Sequence, residues 1–227
     1  MLNRLLLSQL IVLASVYACT TTNSTNANYQ ISDHFDGKVF FNPGQREDHT
    51  FGQMVKWLWE MDTVDWPDWV VDKVQPPPPE RVGTGKIRIT FINHATVLIQ
   101  MDNVNILTDP IWSHRAGPIS WLGSKRVRDP GVTFEKLPPI DIILISHNHY
   151  DHLDLRTLTK ITERDAPEII TGLGNKKILG DSGVQKVSEL DWWQSITVSK
   201  TGLTYTFVPA KHNSGRTPFQ RNKTLWG

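Results

Sequence analysis

Cysteine is almost missing from this chain of 227 residues, which contains only Cys19. A single cysteine cannot form an intrachain disulfide, so a scaffold stapled by internal disulfides is excluded. Net charge is also nearly missing, because 24 basic and 23 acidic residues give a formal charge of +1. Neither a basic block nor an interleaved aromatic stacking motif is visible. We therefore expect no nucleic acid among the partners of this protein.

The apolar run near the N-terminus, residues 5–13, is too short to cross a bilayer comfortably. It follows the positively charged start Met1–Arg4, and this pattern predicts a secretory signal peptide over residues 1–18. The polar residues 19–30, which begin with Cys19, resemble a lipoprotein box and its tether. We therefore expect a lipid on Cys19 that anchors the protein in the bacterial cell envelope, on the outer membrane. The alternative is that Cys19 is a small residue inside an ordinary signal peptide.

Residues 31–85 form an N-terminal extension that is rich in tryptophan and proline. Residues 76–79 are four consecutive prolines, which we expect to form a stiff, extended spacer. The spacing of the aromatic residues favours packing in the core or a cover over the main domain. The alternative is a membrane-facing belt or a lipid-binding groove. The residues concerned are Trp57, Trp59, Trp66 and Trp69.

From residue 86 the pattern changes to strands. Lys86–Phe91 alternates apolar and polar residues with period two, and Thr96–Gln100 pairs naturally with Val104–Thr108 across a turn at residues 101–103. The alternation of strands and helices predicts an α/β (α+β) domain over residues 86–227, a sandwich of two sheets flanked by helices. The later elements expected are a helix over Leu155–Arg164, a strand over Glu168–Thr171, a helix over Gly174–Gly180 and a strand over Leu203–Val208.

The most informative segment is residues 147–152, His-Asn-His-Tyr-Asp-His, which follows an apolar stretch directly. Three imidazoles and a carboxylate within six residues offer nitrogen and oxygen ligands to zinc or a similar divalent ion. In an extended segment His147 and His149 point the same way, because side chains alternate with period two. Asp151 and His152 follow in the turn, where they can serve a second ion. This density of ligand-type residues predicts a metal site.

The pattern His-x-His-x-Asp-His resembles the signature of the metallo-β-lactamase superfamily. Further segments resemble the branch that contains N-acyl-phosphatidylethanolamine-hydrolysing phospholipase D and its bacterial outer-membrane relatives. The resemblance extends from about His34 to Gly227 and implies the αββα sandwich of that superfamily. The segments that carry it are residues 34–37, 41–43, 91–100, 105–113 and 125–126, together with Pro209–His212 and Asn222–Gly227.

The resemblance also implies roles for single residues. Asp109 matches a strand-end aspartate that orients ligands or anchors the turn, although an ordinary Asp-Pro turn explains it equally well without the resemblance. Zinc is favoured over iron or manganese by the relatives and by the histidine-rich first position. The implied ligands are His147, His149 and His212 for one zinc ion, and Asp151 and His152 for the other.

Two functional residues of complete family members have no counterpart in this chain. After His212 the sequence contains no Asp, Glu or His, so a bridging aspartate and a final histidine are missing. We therefore expect a sandwich that is incomplete at the C-terminus and a second metal position with only two ligands, Asp151 and His152. About one zinc per chain is expected from this ligand count. Self-association through uncovered sheet surface is expected as well.

The resemblance implies a zinc-dependent metallo-hydrolase that cleaves a phospholipid-like phosphodiester, freeing an N-acylethanolamine and phosphatidic acid. The candidate catalytic residues are Asp151, which would hold or orient the water, and His94, which would line the pocket. A structural hydrogen-bonding role for His94 is an equal alternative. Two other functions stay open: a lactonase-like metallo-hydrolase, because one fold hosts many chemistries, and a truncated, non-catalytic remnant on the membrane that binds at most one zinc.

Overall fold

The computed structural model describes residues 29–44, 51–60, 65–72 and 75–227. The expected signal peptide, Cys19 and most of the tether lie outside these described residues. Within them the strands are β1 (Ile87–Asn93), β2 (Thr96–Met101), β3 (Val104–Thr108), β4 (Arg115–Ala116), β5 (Ser124–Lys125), β6 (Ile142–Ile145), β7 (Glu168–Gly172), β8 (Val187–Leu190), β9 (Ser195–Thr197) and β10 (Thr204–Thr206). The helices are α1 (Phe51–Glu60), α2 (Leu155–Asp165) and α3 (Asn175–Gly180), with short 3₁₀ turns at Phe134–Lys136 and Pro218–Gln220.

The central sheet has six strands in the order β1-β2-β3-β6-β7-β8. The first three are antiparallel, whereas β3, β6, β7 and β8 run parallel. Asp102 and Asn103 close the β2–β3 hairpin at φ values of 47° and 61°. A tight two-residue hairpin turn requires this left-handed conformation, which Asp and Asn tolerate. The predicted hairpin is confirmed, with Leu98 opposite Leu107.

Apolar side chains pack on both faces of the central sheet. On one face, Leu158 and Ile161 of α2 are fully buried in a cluster with Leu107 and Ile143 of the sheet. The opposite face carries a second cluster, which includes Phe35, Phe40, Ile106, Ile142, Trp192, Phe207 and Trp226. Residues from the N-terminal extension therefore contribute to the core of the main domain.

Two short sheets complete the strand structure of the described residues. β9 pairs with β10 beside the second cluster, and β4 pairs with β5. The predicted mixed α/β class is confirmed, and the second layer of the sandwich consists of β9, β10 and the irregular segments around them. The strand expected over Leu203–Val208 is shorter than predicted and covers Thr204–Thr206, although Phe207 still forms backbone hydrogen bonds with Trp193 and Gln194.

The tryptophans of the extension are not part of the core. Trp57, Trp59 and Trp66 are 61%, 82% and 73% exposed, and Trp69 is 41% exposed. The expected core packing is therefore wrong for the first three, because the two clusters are filled by other side chains. The carbonyl oxygen of Pro79, the last of the four consecutive prolines, accepts a hydrogen bond from the Gln100 side chain in β2. Among the described residues, no helix has the length and apolar character needed to cross a membrane.

Candidate metal centre

The candidate metal centre lies at the carboxyl ends of the central parallel strands. Because β3 and β6 are parallel neighbours, Asp109 after β3 and Ser146 after β6 meet at the same edge of the sheet. Asp109 is 5% exposed, and its Oδ1 accepts a hydrogen bond from the Ser146 N–H at 2.8 Å. The Ser146 hydroxyl donates to Oδ2 of the same carboxylate at 2.6 Å. These contacts fix the start of the ligand loop, residues 146–152.

Ser146 and Asp109 also set the orientation of two imidazoles. Nδ1 of His147 lies 2.9 Å from the Ser146 hydroxyl, which already donates to Asp109, so Nδ1 is the donor and Nε2 keeps its lone pair. Nδ1 of His152 lies 2.8 Å from Oδ2 of Asp109, which leaves its Nε2 available as well. A carboxylate that holds the remote nitrogen of a ligand histidine is usual in metal sites. The structure thus places Asp109 in contact with an expected ligand.

His147, His149 and His212 form the first group of potential ligands. Nε2 of His147 lies 2.8 Å from Nδ1 of His149 and 3.0 Å from Nε2 of His212. His147 is buried, His149 is half-buried and His212 is exposed, so the group opens to solvent on one side. The three histidines expected at the first metal position come together, although His212 is 65 residues from His147 in sequence.

His94, Asp151 and His152 form a second group. Nε2 of His94 lies 3.0 Å from Oδ2 of Asp151 and 3.2 Å from Nε2 of His152. Oδ2 of Asp151 lies 3.6 Å from Nε2 of His152. From the sequence, only Asp151 and His152 were expected at this position. The two groups are adjacent, because the ring centroids of His147 and His152 are 4.1 Å apart.

Burial keeps the first group neutral. Burial and the nearby His152 and His149 lower the pKa of His147 to about 2. Burial also lowers the pKa values of His149 and His212. Neutral imidazole is the form that binds a metal ion. The pKa of His152 is raised instead, because the Asp109 carboxylate outweighs the opposing effect of burial.

Segments from both ends of the described chain hold the loop that carries His212. The side-chain amide of Asn42 donates to the His212 carbonyl oxygen at 2.8 Å. The indole N–H of Trp226 donates to the carbonyl oxygen of Ala210 at 2.9 Å, and Trp226 itself is 1% exposed. The terminal motifs that carry the sequence resemblance therefore hold His212, an expected ligand, in place.

Arg216 contacts the ligand loop of the centre but was not expected from the sequence. Its Nη1 donates to the carbonyl oxygens of Asn148 at 3.1 Å and Leu153 at 2.8 Å, and its guanidinium lies 4.0 Å from the ring centroid of Tyr150. Burial lowers its pKa. These contacts tie the ligand loop to the loop of His212. The only indication in the sequence was that Arg216 lies close to His212 along the chain.

The two donor groups fit zinc or a similar divalent ion. Zn–N bonds of about 2.0–2.1 Å in a tetrahedron place neighbouring donor atoms roughly 3.3 Å apart. The separations of His147 from His149 and His212, and the three separations within the second group, lie between 2.8 and 3.6 Å. Imidazole and carboxylate donors suit zinc and also iron. The geometry therefore supports two neighbouring metal positions.

A cavity of about 790 Å³ is separate from this centre. Trp69, Trp112 and Phe134 are among its aromatic lining residues, whereas none of the six potential metal ligands lines it. Its size is typical of small-molecule sites. Of the four tryptophans of the extension, only Trp69 contributes to its wall.

Comparison with known proteins identifies the family. Residues 104–227, more than half of the chain, match the family described as Beta-lactamase superfamily domain. The chain belongs to this family, and the superfamily resemblance inferred from the motif at residues 147–152 is confirmed.

Similar proteins include members of the branch expected from the sequence. The N-acyl-phosphatidylethanolamine-hydrolyzing phospholipase D 1 of Caenorhabditis elegans is 38% identical over 146 residues, which are 60% of this chain and 41% of that protein. The mitochondrial protein of the same description from Saccharomyces cerevisiae is 38% identical over 143 residues, 60% of this chain and 30% of its own length. An uncharacterized protein of Mycobacterium tuberculosis is 38% identical over 148 residues, 64% of this chain and 39% of its own. The chain thus spans about two fifths of the length of the first curated relatives it matches.

Among solved structures, the chain is similar to Igni18, a metallo hydrolase from the archaeon Ignicoccus hospitalis. The TM-score is 0.44 and the identity 20%, over 56% of this chain and 50% of that one. It is also similar to CmlA, a diiron beta-hydroxylase from Streptomyces venezuelae, with a TM-score of 0.37 and 28% identity over 53% and 23% of the two chains.

Proposed function

We propose that this protein is a zinc-dependent hydrolase of a phospholipid-like phosphodiester, resembling an N-acylphosphatidylethanolamine phosphodiesterase of the phospholipase D type. The observation that carries the proposal is the presence of two adjacent groups of metal-ligand side chains at one sheet edge. Relatives at 38% identity that are named for this activity support the choice of substrate. The family alone does not fix the substrate, because one fold hosts many chemistries.

The residues present fit two metal ions, and we assign a role to each residue. Asp109 orients His152 and fixes the start of the ligand loop. Asp151 holds or orients the attacking water as well as contributing to the second position, and His94 lines the pocket beside it. The proposed ligands are His147, His149 and His212 at the first position, and Asp151 and His152 at the second.

When bound, zinc supplies Lewis acidity that stabilises negative charge on phosphate oxygens and lowers the pKa of water to about 7. The protein supplies the opening through which a substrate reaches the centre and the side chains that hold the ligands in place. The side chains of His94 and Asp151 are 52% and 43% exposed, so a head group can approach the centre from solvent. The buried side, formed by His147 and Asp109, keeps the ligand loop in place.

Hydrolysis by the purified, zinc-loaded protein tests the proposal. Mixed micelles of N-acylphosphatidylethanolamine and detergent are the substrate, and the released phosphatidic acid and N-acylethanolamine are measured. We expect both products from the wild type and from the control His114→Asn, because His114 is exposed and belongs to neither donor group. His149→Asn removes a ligand and is expected to abolish release.

Two other outcomes of this assay correspond to the alternatives raised by the sequence. Turnover of a lactone without cleavage of the phosphodiester would replace the proposal with a lactonase-like hydrolase. Absence of both activities in protein that holds at most one zinc per chain would favour a non-catalytic protein at the membrane.

We also propose that residues 1–18 direct export and that Cys19 carries a lipid anchor at the outer membrane of the bacterial cell envelope. The charged start, the short apolar run and the single cysteine support this proposal. Such an anchor would keep the centre near a phospholipid-like substrate, since each buried methylene contributes about 0.8 kcal/mol. Palmitate labelling of cells that express the full chain is expected to mark the wild type but not Cys19→Ser. Equal labelling of both proteins, or of neither, contradicts the anchor.

A further inference from the structure

The cavity of about 790 Å³ is bounded by three parts of the chain: the N-terminal extension, α2 and the segment between β3 and β6. Hydrogen bonds connect these parts. The Val70 N–H donates to the Val127 carbonyl oxygen at 2.6 Å, and the Trp112 N–H donates to the Thr157 hydroxyl at 2.9 Å. The walls of the cavity are therefore held in place by the fold.

Aromatic rings form part of the cavity wall. The rings of Trp112 and Phe134 meet edge-on, with centroids 5.9 Å apart and an interplanar angle of 83°, and both pack against the first apolar cluster. The Trp112 indole N–H donates to the Val132 carbonyl oxygen at 3.0 Å, which fixes the orientation of that ring. Trp69 of the extension contributes a third ring. Such walls favour a ligand that is itself aromatic, because paired rings gain contacts beyond the burial of apolar area.

Arg126 lines the cavity and has hydrogen-bond donors that the protein does not use. Its Nη2 donates to the Trp112 carbonyl oxygen at 2.6 Å. Its Nε and Nη1 are buried, and no acceptor among the described residues contacts either atom. Together these two nitrogens carry three N–H donors of a side chain that stays charged at neutral pH. Burial lowers the pKa of Arg126, in keeping with a guanidinium that is shielded from solvent.

The carboxylates near Arg126 do not supply the missing acceptors. The charges of Asp129 and Asp154 act against the lowering of its pKa, but neither carboxylate bonds to Nε or Nη1. Asp154 instead accepts hydrogen bonds from one backbone N–H and one hydroxyl. Asp72, another acidic lining residue, is paired with Arg128 at 3.6 Å. Buried donors are nearly always paired in folded proteins, so the free donors of Arg126 point to a ligand that brings its own acceptor.

We propose that this cavity binds an organic carboxylate with an aromatic body. The carboxylate accepts charge-assisted hydrogen bonds from the free donors of Arg126, and the aromatic body lies against Trp112 and Phe134. A single negative charge suits the site better than a phosphate dianion, because Asp129 and Asp154 add negative charge beside Arg126. None of the six potential metal ligands lines the cavity, so this binding site goes beyond the proposed hydrolysis and does not depend on it.

The competing interpretation is that Arg126 only supports the fold by holding the Trp112 carbonyl oxygen. A purely structural arginine contributes to thermal stability but gives the cavity no preference for the charge of a ligand. A binding arginine makes the affinity depend on the charge of the ligand and on the Arg126 side chain.

The experiment is a calorimetric titration of the full-length, zinc-loaded protein with naphthoate. Naphthylmethanol and naphthylmethylamine are the matched probes, with the same rings but no charge or a positive charge. Arg126→Gln removes the charge and the free donors, whereas Phe134→Leu keeps apolar bulk but removes a ring. Arg221→Gln is the matched control, because Arg221 is exposed and does not line the cavity. Thermal unfolding of each variant reports whether it folds.

We expect the wild type and Arg221→Gln to bind one naphthoate with equal affinity. The two matched probes, and naphthoate with Arg126→Gln, are expected to bind at least about tenfold more weakly, because the charge-assisted hydrogen bonds are lost. Phe134→Leu is expected to weaken naphthoate through loss of the ring contact. Naphthoate is also expected to shift the NMR signal of the Arg126 Nε–H in the wild type, which tests the contact even if Arg126→Gln does not fold.

Three results overturn the inference. The first is wild-type protein that binds no naphthoate, and the second is equal affinity for the three probes or for wild type and a folded Arg126→Gln. The third is binding that disappears in His149→Asn, which would assign the carboxylate to the metal centre instead. The proposed hydrolysis is measured separately, so naphthoate binding without phosphodiester cleavage, or cleavage without binding, tells the two proposals apart.

Discussion

Asp109 accepts a hydrogen bond from Nδ1 of His152 at 2.8 Å, although 43 residues separate them in sequence. The same carboxylate receives both the backbone N–H and the hydroxyl of Ser146. One buried side chain at the end of β3 therefore determines how the ligand loop leaves β6 and which nitrogen of His152 faces the metal position.

Asp109→Asn tests this orienting role. Asparagine preserves the shape and tolerates the φ of 35°, but its single amide oxygen cannot accept all three hydrogen bonds that the two carboxylate oxygens now receive from the Ser146 N–H, the Ser146 hydroxyl and His152. We expect zinc affinity to fall about ten- to hundredfold, measured by chelator competition. Asp181→Asn, at an exposed ion pair with Lys177, is the control. Unchanged zinc affinity in Asp109→Asn would mean that the carboxylate only supports the fold.

Trp226 links the second apolar cluster to the His212 loop, and its two contributions are separable. Trp226→Phe keeps most of the apolar packing but removes the hydrogen bond to Ala210, so we expect a loss of about 1 kcal/mol in the free energy of unfolding. Trp226→Ala leaves a cavity as well and is expected to cost about 3–5 kcal/mol. Urea unfolding measures both, with the exposed Trp59→Ala as control. Equal losses in the two variants would show that packing contributes little.

Asp141 at the amino end of β6 makes stability depend on acidity. Burial alone would raise its pKa, but contacts with Arg81, the Asn105 N–H and Lys200 outweigh burial and lower the pKa from its ordinary value of 3.8. The depressed pKa gives stability that is present above pH 3.8 and is lost as the pH falls through the folded-state value.

We therefore expect Asp141→Asn to lower the free energy of unfolding by roughly 1–3 kcal/mol at pH 7, less than a fully buried pair, because the Arg81 side chain is 33% exposed. The difference from the wild type should shrink as the pH approaches 3. Urea unfolding across this pH range checks it. A difference that stays constant with pH would contradict the linkage to Asp141.

The outer face of β1 carries apolar residues that nothing among the described residues covers. Ile87, Ile89 and Phe91 are 62%, 66% and 63% exposed, and β1 is an edge strand of the central sheet. An exposed apolar edge strand promotes pairing between chains. We expect residues 20–227 expressed alone to self-associate and Ile89→Lys to reduce this association in sedimentation velocity. Val71→Lys, at another exposed apolar residue, is the control. A clean monomer of the unmutated protein with a cooperative thermal transition would contradict this prediction.

Local sequence patterns predicted the elements whose contacts are local. The β2–β3 hairpin, α2 and β7 follow from periodicity and turn residues, and their observed bounds lie within a residue or so of the prediction. β8 and β9 were missed, because strands of 4 and 3 residues are too short to show a clear periodicity. The exposed tryptophans of the extension were misjudged, since composition does not reveal which surfaces are already filled.

The candidate site was predictable to the extent that its residues are adjacent in sequence. The density of histidines predicted the ligand loop, and the resemblance to the family added His212. The approach of His94 to His152 was not predictable, because it depends on the irregular register between Phe91 and Asn93 and on bonds from the β1–β2 turn to the segment after β3. Arg216 acts through backbone carbonyl oxygens, which leave no sequence pattern.

His94 and Asp109 share a property that reaches beyond metal binding: both hold a positive φ, 41° and 35°. Substitution at either residue is therefore limited twice, once by the side-chain chemistry and once by the backbone. Glycine and asparagine satisfy the backbone but not the chemistry, whereas glutamate offers a donor atom and strains the turn. A deep mutational scan scored separately for abundance and for metal uptake would separate these two limits at Asp109, with glycine and asparagine passing the first score and failing the second.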